Sequence, residues 1–201
     1  GRCAAAAPPA PPAGGRLVAL MRDKGLVAAW AVSLTVLFGF VTFHSGAQLL
    51  DLGVDRETLR LVGLPPLLLT LVAAPLSARV GAPVTAMLGI VLEATAFVPA
   101  VAGGPAATML ASVLVAAGVA LAVPGLISTV AMRSTPSDRG LAIAIYGFVL
   151  FVGASLAPPV AAGLAGAGAV IWVVPAVGLI ASAVLMAAVF RRAPRIEPGQ
   201  P

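Results

Sequence analysis

The 201-residue chain is 60% hydrophobic and only 9% charged, with a mean hydropathy of +1.08. A soluble domain carries about 25% charged residues, so this chain has too few to clothe a water-facing surface and must turn much of itself towards lipid. The formal charge of +5 does not point to nucleic acid: the cations stand singly or in pairs between apolar runs, and aromatics at 5% are too few for a base-stacking platform.

The first stretch, Gly1 to Gly15, is Ala, Pro and Gly, and reads as an extended, flexible linker that continues to residue 25. It holds Cys3, the only cysteine, so no intrachain disulfide can form. Residue 1 is Gly rather than Met, which predicts a processed chain or a piece of something longer. A hydrocarbon core of ~30 Å takes roughly 20 apolar residues per helix. That rule predicts six spans, near 26–48, 59–78, 84–102, 106–131, 141–164 and 169–190, leaving 191–201 as a tail. The fold class is therefore an all-α membrane protein, a six-helix bundle of antiparallel hairpins; the period-two alternation of a transmembrane barrel is absent.

The connectors alternate in charge. One set holds Arg16, Arg22, Lys24, Arg79, Arg133, Arg139, Arg191, Arg192 and Arg195; the other holds Arg56 and Arg60 beside Asp51, Asp55 and Glu57. Nine cations against two place both termini in the cytoplasm by the positive-inside rule, as a multi-pass protein of the plasma (inner) membrane.

Along the first span, Thr35, Gly39, Thr42 and Gly46 share one face, with His44, Ser45 and Gln48 beside it near the outer end. Such a face lines a water-filled path, or its hydroxyls bond back to their own helix; both readings are open. In the third span Glu93 stands about halfway across, where an ionised carboxylate costs a few kcal/mol or more. Ala86, Gly89, Glu93, Ala96 and Ala100 fall on one helical face, which points Glu93 into the protein as either a proton-binding group or a neutral, hydrogen-bonded one. In the fourth span Gly118, Ala122, Gly125 and Thr129 make a small-residue stripe, with Pro124 and Gly125 a candidate hinge. The fifth carries a second stripe, Gly140, Ala144, Gly147, Ala154, Pro158 and Ala161, expected to be a packing seam.

Catalytic patterns are missing. His44 is the only histidine, and with one cysteine it makes no zinc site, so neither metal nor cofactor is expected. There is no Gly-x-Ser-x-Gly, no His-Glu-x-x-His and no Walker A string. The chain is expected not to be an enzyme.

Residues 74–83 read Ala-Pro-Leu-Ser-Ala-Arg-Val-Gly-Ala-Pro. The string resembles the loop signature of the major facilitator superfamily, Gly-x-Leu-Ala-Asp-Arg-x-Gly-Arg-Arg: Leu76, Arg79 and Gly81 match, while Ala74, Ala78, Ala82 and Pro83 depart from it. Residues 153–162, Gly-Ala-Ser-Leu-Ala-Pro-Pro-Val-Ala-Ala, are similar to that family's antiporter motif, with Gly153 and Pro158 matching. The resemblance implies the second half of a twelve-helix transporter, with residues 1–25 ending its central loop and an N-terminal six-helix half as partner. It further implies a small-molecule substrate path between the halves, lined by the first and fourth helices of this half, and proton-coupled efflux of drugs or amphipathic metabolites. The third helix, with Glu93, would then be peripheral. Membrane lipid is the other expected partner, and nucleic acid is not one. The competing reading is a six-helix membrane protein with no transport cycle, a structural partner or an inactive fragment.

Overall fold

The computed structural model describes residues 13–190. Every element in them is helical: α1 (Ala13–Arg22), α2 (Lys24–Leu49), α3 (Arg56–Gly63), α4 (Thr70–Val80), α5 (Ala82–Thr95), α6 (Phe97–Ala102), α7 (Pro105–Arg133), α8 (Arg139–Leu164) and α9 (Val170–Phe190), with short 3-10 turns at Pro65–Leu69 and Ala165–Ala167. They form six spans long and apolar enough to cross a bilayer, at residues 24–49, 56–80, 82–102, 105–133, 139–167 and 170–190. The linker expected for residues 1–12 and the cations Arg191, Arg192 and Arg195 lie outside the described residues. The linker expectation is corrected at its end, where residues 13–22 are helical, with Leu20 buried against the bundle and Arg16 paired to Asp138.

Local chemistry sets the breaks. The second span starts at Arg56 because Asp55 caps it, accepting from the Thr58 amide at 2.9 Å. It changes to 3-10 at Pro65 because Pro65 and Pro66 have no amide to donate to the preceding turn. The third span, expected to be one helix, divides at Ala96, four residues before Ala100 and three before Pro99. Pro99 cannot bond the Thr95 carbonyl and crowds it, so the chain tightens there, with the Ala96 amide turning to the Glu93 carbonyl at 3.1 Å. Gly81 joins spans two and three at φ +93°, a conformation that disfavours a side chain. This accounts for glycine at the motif position; Leu76 and Arg79 lie in the last turns of α4, with Arg79 exposed.

The spans pair in a repeated pattern. The first packs along the fifth and sixth; the fourth packs along the second and third; and the first and fourth touch each other at the centre. Spans one to three and four to six thus share one pattern of packing, each triplet's first helix lying along the other triplet's second and third. Four polar ties cross between spans: Trp30 Nε1 donates to the Ala142 carbonyl (3.1 Å), Ser112 to the Leu59 carbonyl (3.1 Å), Tyr146 to the Val123 carbonyl (3.3 Å), and Thr35 shares a 2.8 Å bond with Ser182.

Small residues set the closest approaches, since lipid supplies no hydrophobic drive between helices. The fourth-span stripe is buried as expected: Gly118 and Ala122 lie on Gly89, and Gly125 lies on Ala86. Gly125 thereby serves a packing contact, and α7 runs unbroken through Pro124 and Gly125. The fifth-span stripe is different. Gly140, Ala144 and Pro158 are exposed, and a side chain on Gly140 or Gly147 would meet nothing within 4 Å. The seam of α8 runs instead through Ala142, Tyr146, Leu150, Gly153, Ala157 and Ala161, with Gly153 against the Leu34 carbonyl of α2. Of the expected stripe only Ala161 is in it, because large side chains that fit a neighbour's groove count as much here as small ones.

At one end of the bundle the charged connectors gather. Arg16 pairs with Asp138 at 2.6 Å, and Arg133 reaches Asp23 at 3.0 Å while its guanidinium lies 5.4 Å from the Phe190 ring centre. Burial works against the Asp23 carboxylate, but Arg133 and the amides of Leu26 and Gly25 outweigh it and hold the group below the usual carboxylate range. Asp138, bonded by Thr135 and Arg16, is lowered as well.

Candidate functional site

Two polar places stand out, on opposite sides of α2. The first is a cleft of about 880 Å³ at the end of the bundle away from those connectors. It lies among the first, second, fourth and fifth spans. Phe40, Val41, His44, Ser45 and Gln48 supply the α2 wall; Arg56, Leu59, Arg60 and Gly63 come from α3; Ala116, Pro158 and Ala162 close it from α7 and α8. The His44 ring is fixed by a 2.9 Å bond between Nδ1 and the Phe40 carbonyl, and it lies against the rings of Phe40 and Phe43. Gln48 Nε2 is buried without a hydrogen-bond partner among the described residues.

The second is Glu93, wholly buried, with neither carboxyl oxygen hydrogen-bonded among the described residues. Its space is made by two glycines. A side-chain carbon on Gly39 of α2 would stand 2.7 Å from Glu93 Oε1, and one on Gly118 of α7 would stand 2.6 Å from Glu93 Cβ. Ala86, Gly89, Ala96 and Ala100 are buried with it, as the spacing predicted. The backbone of Phe40 lies beside it, so the thickness of α2 separates this carboxyl from the cleft.

The polar face of the first span is divided between these places. His44, Ser45 and Gln48 line the cleft. Thr35, Gly39, Thr42 and Gly46 turn inward: Thr35 bonds the Val32 carbonyl and Ser182, Gly46 meets Trp172 and Ile171, and Thr42 Oγ1 is buried without a partner among the described residues. The inward part of that face thus packs against the sixth span and the part beside it borders the cleft. Arg56 and Arg60 were legible only as topology signals, yet they line the cleft. Their spacing of four residues on one helix face was the available sign. Among the described residues, no group of three or more His, Cys, Asp or Glu could hold a metal.

Six apolar spans, with a cleft between central and flanking helices, make a polytopic membrane protein. A profile of the Major Facilitator Superfamily matches residues 26–201, and the chain belongs to that superfamily, which places it among transporters rather than enzymes. No curated protein matches it. Among solved structures it is similar to the crystal structure of a point mutant of the peptide transporter POT in complex with alafosfalin, at a TM-score of 0.70 and 23% identity, over 82% of this chain. The chain spans 38% of that transporter's length, as one half of such a fold does.

Proposed function

We propose that this chain is the C-terminal half of a secondary transporter and that the cleft is its side of the substrate path. The cleft carries this reading: it is bordered by the two central spans and their flanking partners, apolar over most of its wall, with a few polar groups. The likeness to one half of a longer transporter supports it, because alternating access rocks one repeat against another around a shared site. The gathered cationic connectors support an orientation with that end in the cytoplasm of an inner-membrane protein, which sets the cleft towards the outer side.

The finer reading is proton-coupled efflux of a small amphipathic compound. His44 is the titratable side chain of the cleft whose ordinary range lies near neutrality, with Arg56 and Arg60 the charged groups around it. Glu93 is walled off behind α2 and serves as a buried neutral group.

Uphill transport in proteoliposomes tests this. The chain alone should give none, and co-expression with a matching six-helix half should restore it. Transport by the purified monomer would refute the half-transporter reading, transport by a homodimer would overturn the missing partner, and no transport in any combination would favour the non-transporting alternative. In the complete transporter, His44→Gln should abolish pH-gradient-driven flux and Glu93→Gln should leave it; the reverse would move the coupling to the buried site. With Cys3 replaced, Arg22→Cys, Arg79→Cys and Arg139→Cys should react with an impermeant thiol reagent from the cytoplasm, and Asp55→Cys from outside. Two or more reversed sites would sink the orientation.

A further inference from the structure

We infer that the cleft takes an amphipathic organic anion, a small carboxylate whose charged head meets Arg56 and Arg60 while its apolar body lies on Phe40, Val41 and Leu64. This rests on the reading of the cleft as the substrate path and names the chemistry of what travels through it.

Charge comes first. Arg56 and Arg60 are one helical turn apart on α3 and both line the cleft. Neither makes an ion pair or a side-chain hydrogen bond among the described residues, where the ion pairs are Arg16–Asp138 and Arg133–Asp23. No acid lines the cleft. The acids nearest in sequence are Asp51, Asp55 and Glu57, and Asp55 is engaged with the amide and hydroxyl of Thr58, at 2.9 and 2.6 Å. Both are exposed at the rim of the cleft, and two guanidinium groups without an ion pair among the described residues, beside an apolar wall, attract an anion and repel a cation.

Donor count points the same way. A carboxylate accepts several hydrogen bonds, and a guanidinium presents its N–H groups as a fork that matches it. The buried Nε2 of Gln48 is a further donor without an acceptor among the described residues. His44 spends its Nδ1–H on the Phe40 carbonyl, so its other ring nitrogen accepts in the neutral ring and donates to a carboxylate only in the protonated one. The walls then exclude bare inorganic anions as the best fit. Phe40, Val41, Leu64 and Leu67 offer apolar surface that only an apolar body repays, and about 880 Å³ admits a drug-sized molecule.

The same head and body occur in a free solute and in an anionic lipid, and the inference commits to the solute. The test uses the whole chain in phosphatidylcholine nanodiscs and two probes of matched shape, 1-naphthylacetate and 1-naphthylmethylammonium, in equilibrium binding. The anion should bind saturably, roughly tenfold or more tighter than the cation. Combined Arg56→Gln and Arg60→Gln should weaken the anion by roughly tenfold or more without changing the melting temperature, and Arg→Lys at both should keep part of the affinity. Gln48→Leu should cost a smaller loss in a chain with both arginines intact. Equal binding of the two probes, or unchanged anion affinity in the double Gln variant, would overturn the inference. Displacement of the bound anion by phosphatidylglycerol added to the discs would assign the cleft to lipid and overturn it as well. The two readings fail separately. If the anion binds selectively while a complete transporter bearing both Gln substitutions moves its substrates unchanged, the substrate-path reading fails and the binding site stands. If transport depends on the cleft but the chain shows no preference for the anion, the substrate class fails alone.

Discussion

The two polar places flank the same helix yet are built on opposite terms. Around Glu93 the neighbours are glycine and alanine pressed to van der Waals distance, and the carboxyl is sealed without a partner among the described residues. Around His44 and Gln48 the neighbours are larger, the space is open, and the charges are cationic. Polarity in a membrane interior is commonly taken as a mark of function. The contrast teaches that polarity and access are separate properties: a carboxyl sealed between two helices and a histidine on an open cleft are equally conspicuous in the sequence but differ in what can reach them.

Substitutions can break this contrast in order of size. The largest effect is expected at the sealed side, where Gly118→Leu should leave no folded protein in detergent extracts, because its side chain would enter the space of the Glu93 backbone. The milder Gly118→Ala or Gly89→Ala should cost ~1–3 kcal/mol on thermal unfolding. The same Ala change at Gly147, where a side chain meets nothing within 4 Å, should be close to neutral. Equal losses at Gly89 and Gly147 would erase the distinction.

Next is Glu93→Leu. With neither oxygen paired, removing the carboxyl strands no donor on another helix, so the variant should melt at or above the parent temperature, by about 1 kcal/mol or more. A lower melting temperature would reveal a partner that the carboxyl satisfies.

The smallest effect belongs to the charged end. Asp23 caps α2 through the Gly25 and Leu26 amides at 2.7 and 3.0 Å and pairs with Arg133. Asp23→Ala should cost ~1 kcal/mol, mostly as a lost cap, since a partly exposed pair adds little. Because the carboxyl is held below its ordinary value of 3.8, its contribution is full above that pH and disappears as pH falls through the lowered value. The Asp23→Ala and parent melting curves should therefore converge in strong acid and separate as pH rises through the carboxylate range.

Much of the fold was legible because lipid imposes its demand on composition: span number, the alternation of connectors and the inward face of Ala86, Gly89 and Glu93 all follow from it. The breaks at Pro65 and Pro99 are readable in hindsight, since a proline acts on the carbonyl four residues back rather than on its own position. The face of α8 was not legible. Inside a membrane, apolar residues face both lipid and protein, so hydrophobicity draws no contrast, and Tyr146 and Leu150 in the seam look like the exposed Phe148 and Phe151 beside it. The cleft was half legible. His44 and Gln48 stood out as polar, but which of them shared a space with Arg56 and Arg60 depends on how spans one and two pack, and single-helix spacing carries no information on that.

The paired prolines carry a mechanical consequence. Pro65–Pro66 in the second span and Pro158–Pro159 in the fifth stand in the flanking helices that correspond in the two triplets of spans, and both pairs border the cleft or adjoin its lining. Each pair deletes two successive main-chain donors. A bend at that level in either wall stretches bonds that do not exist, whereas the same bend in the first span, which has no proline between Lys24 and Leu49, would have to break them. Main-chain bonding is thus unevenly shared: the first span keeps its full ladder, and the two walls beside it each lack two donors next to the cleft.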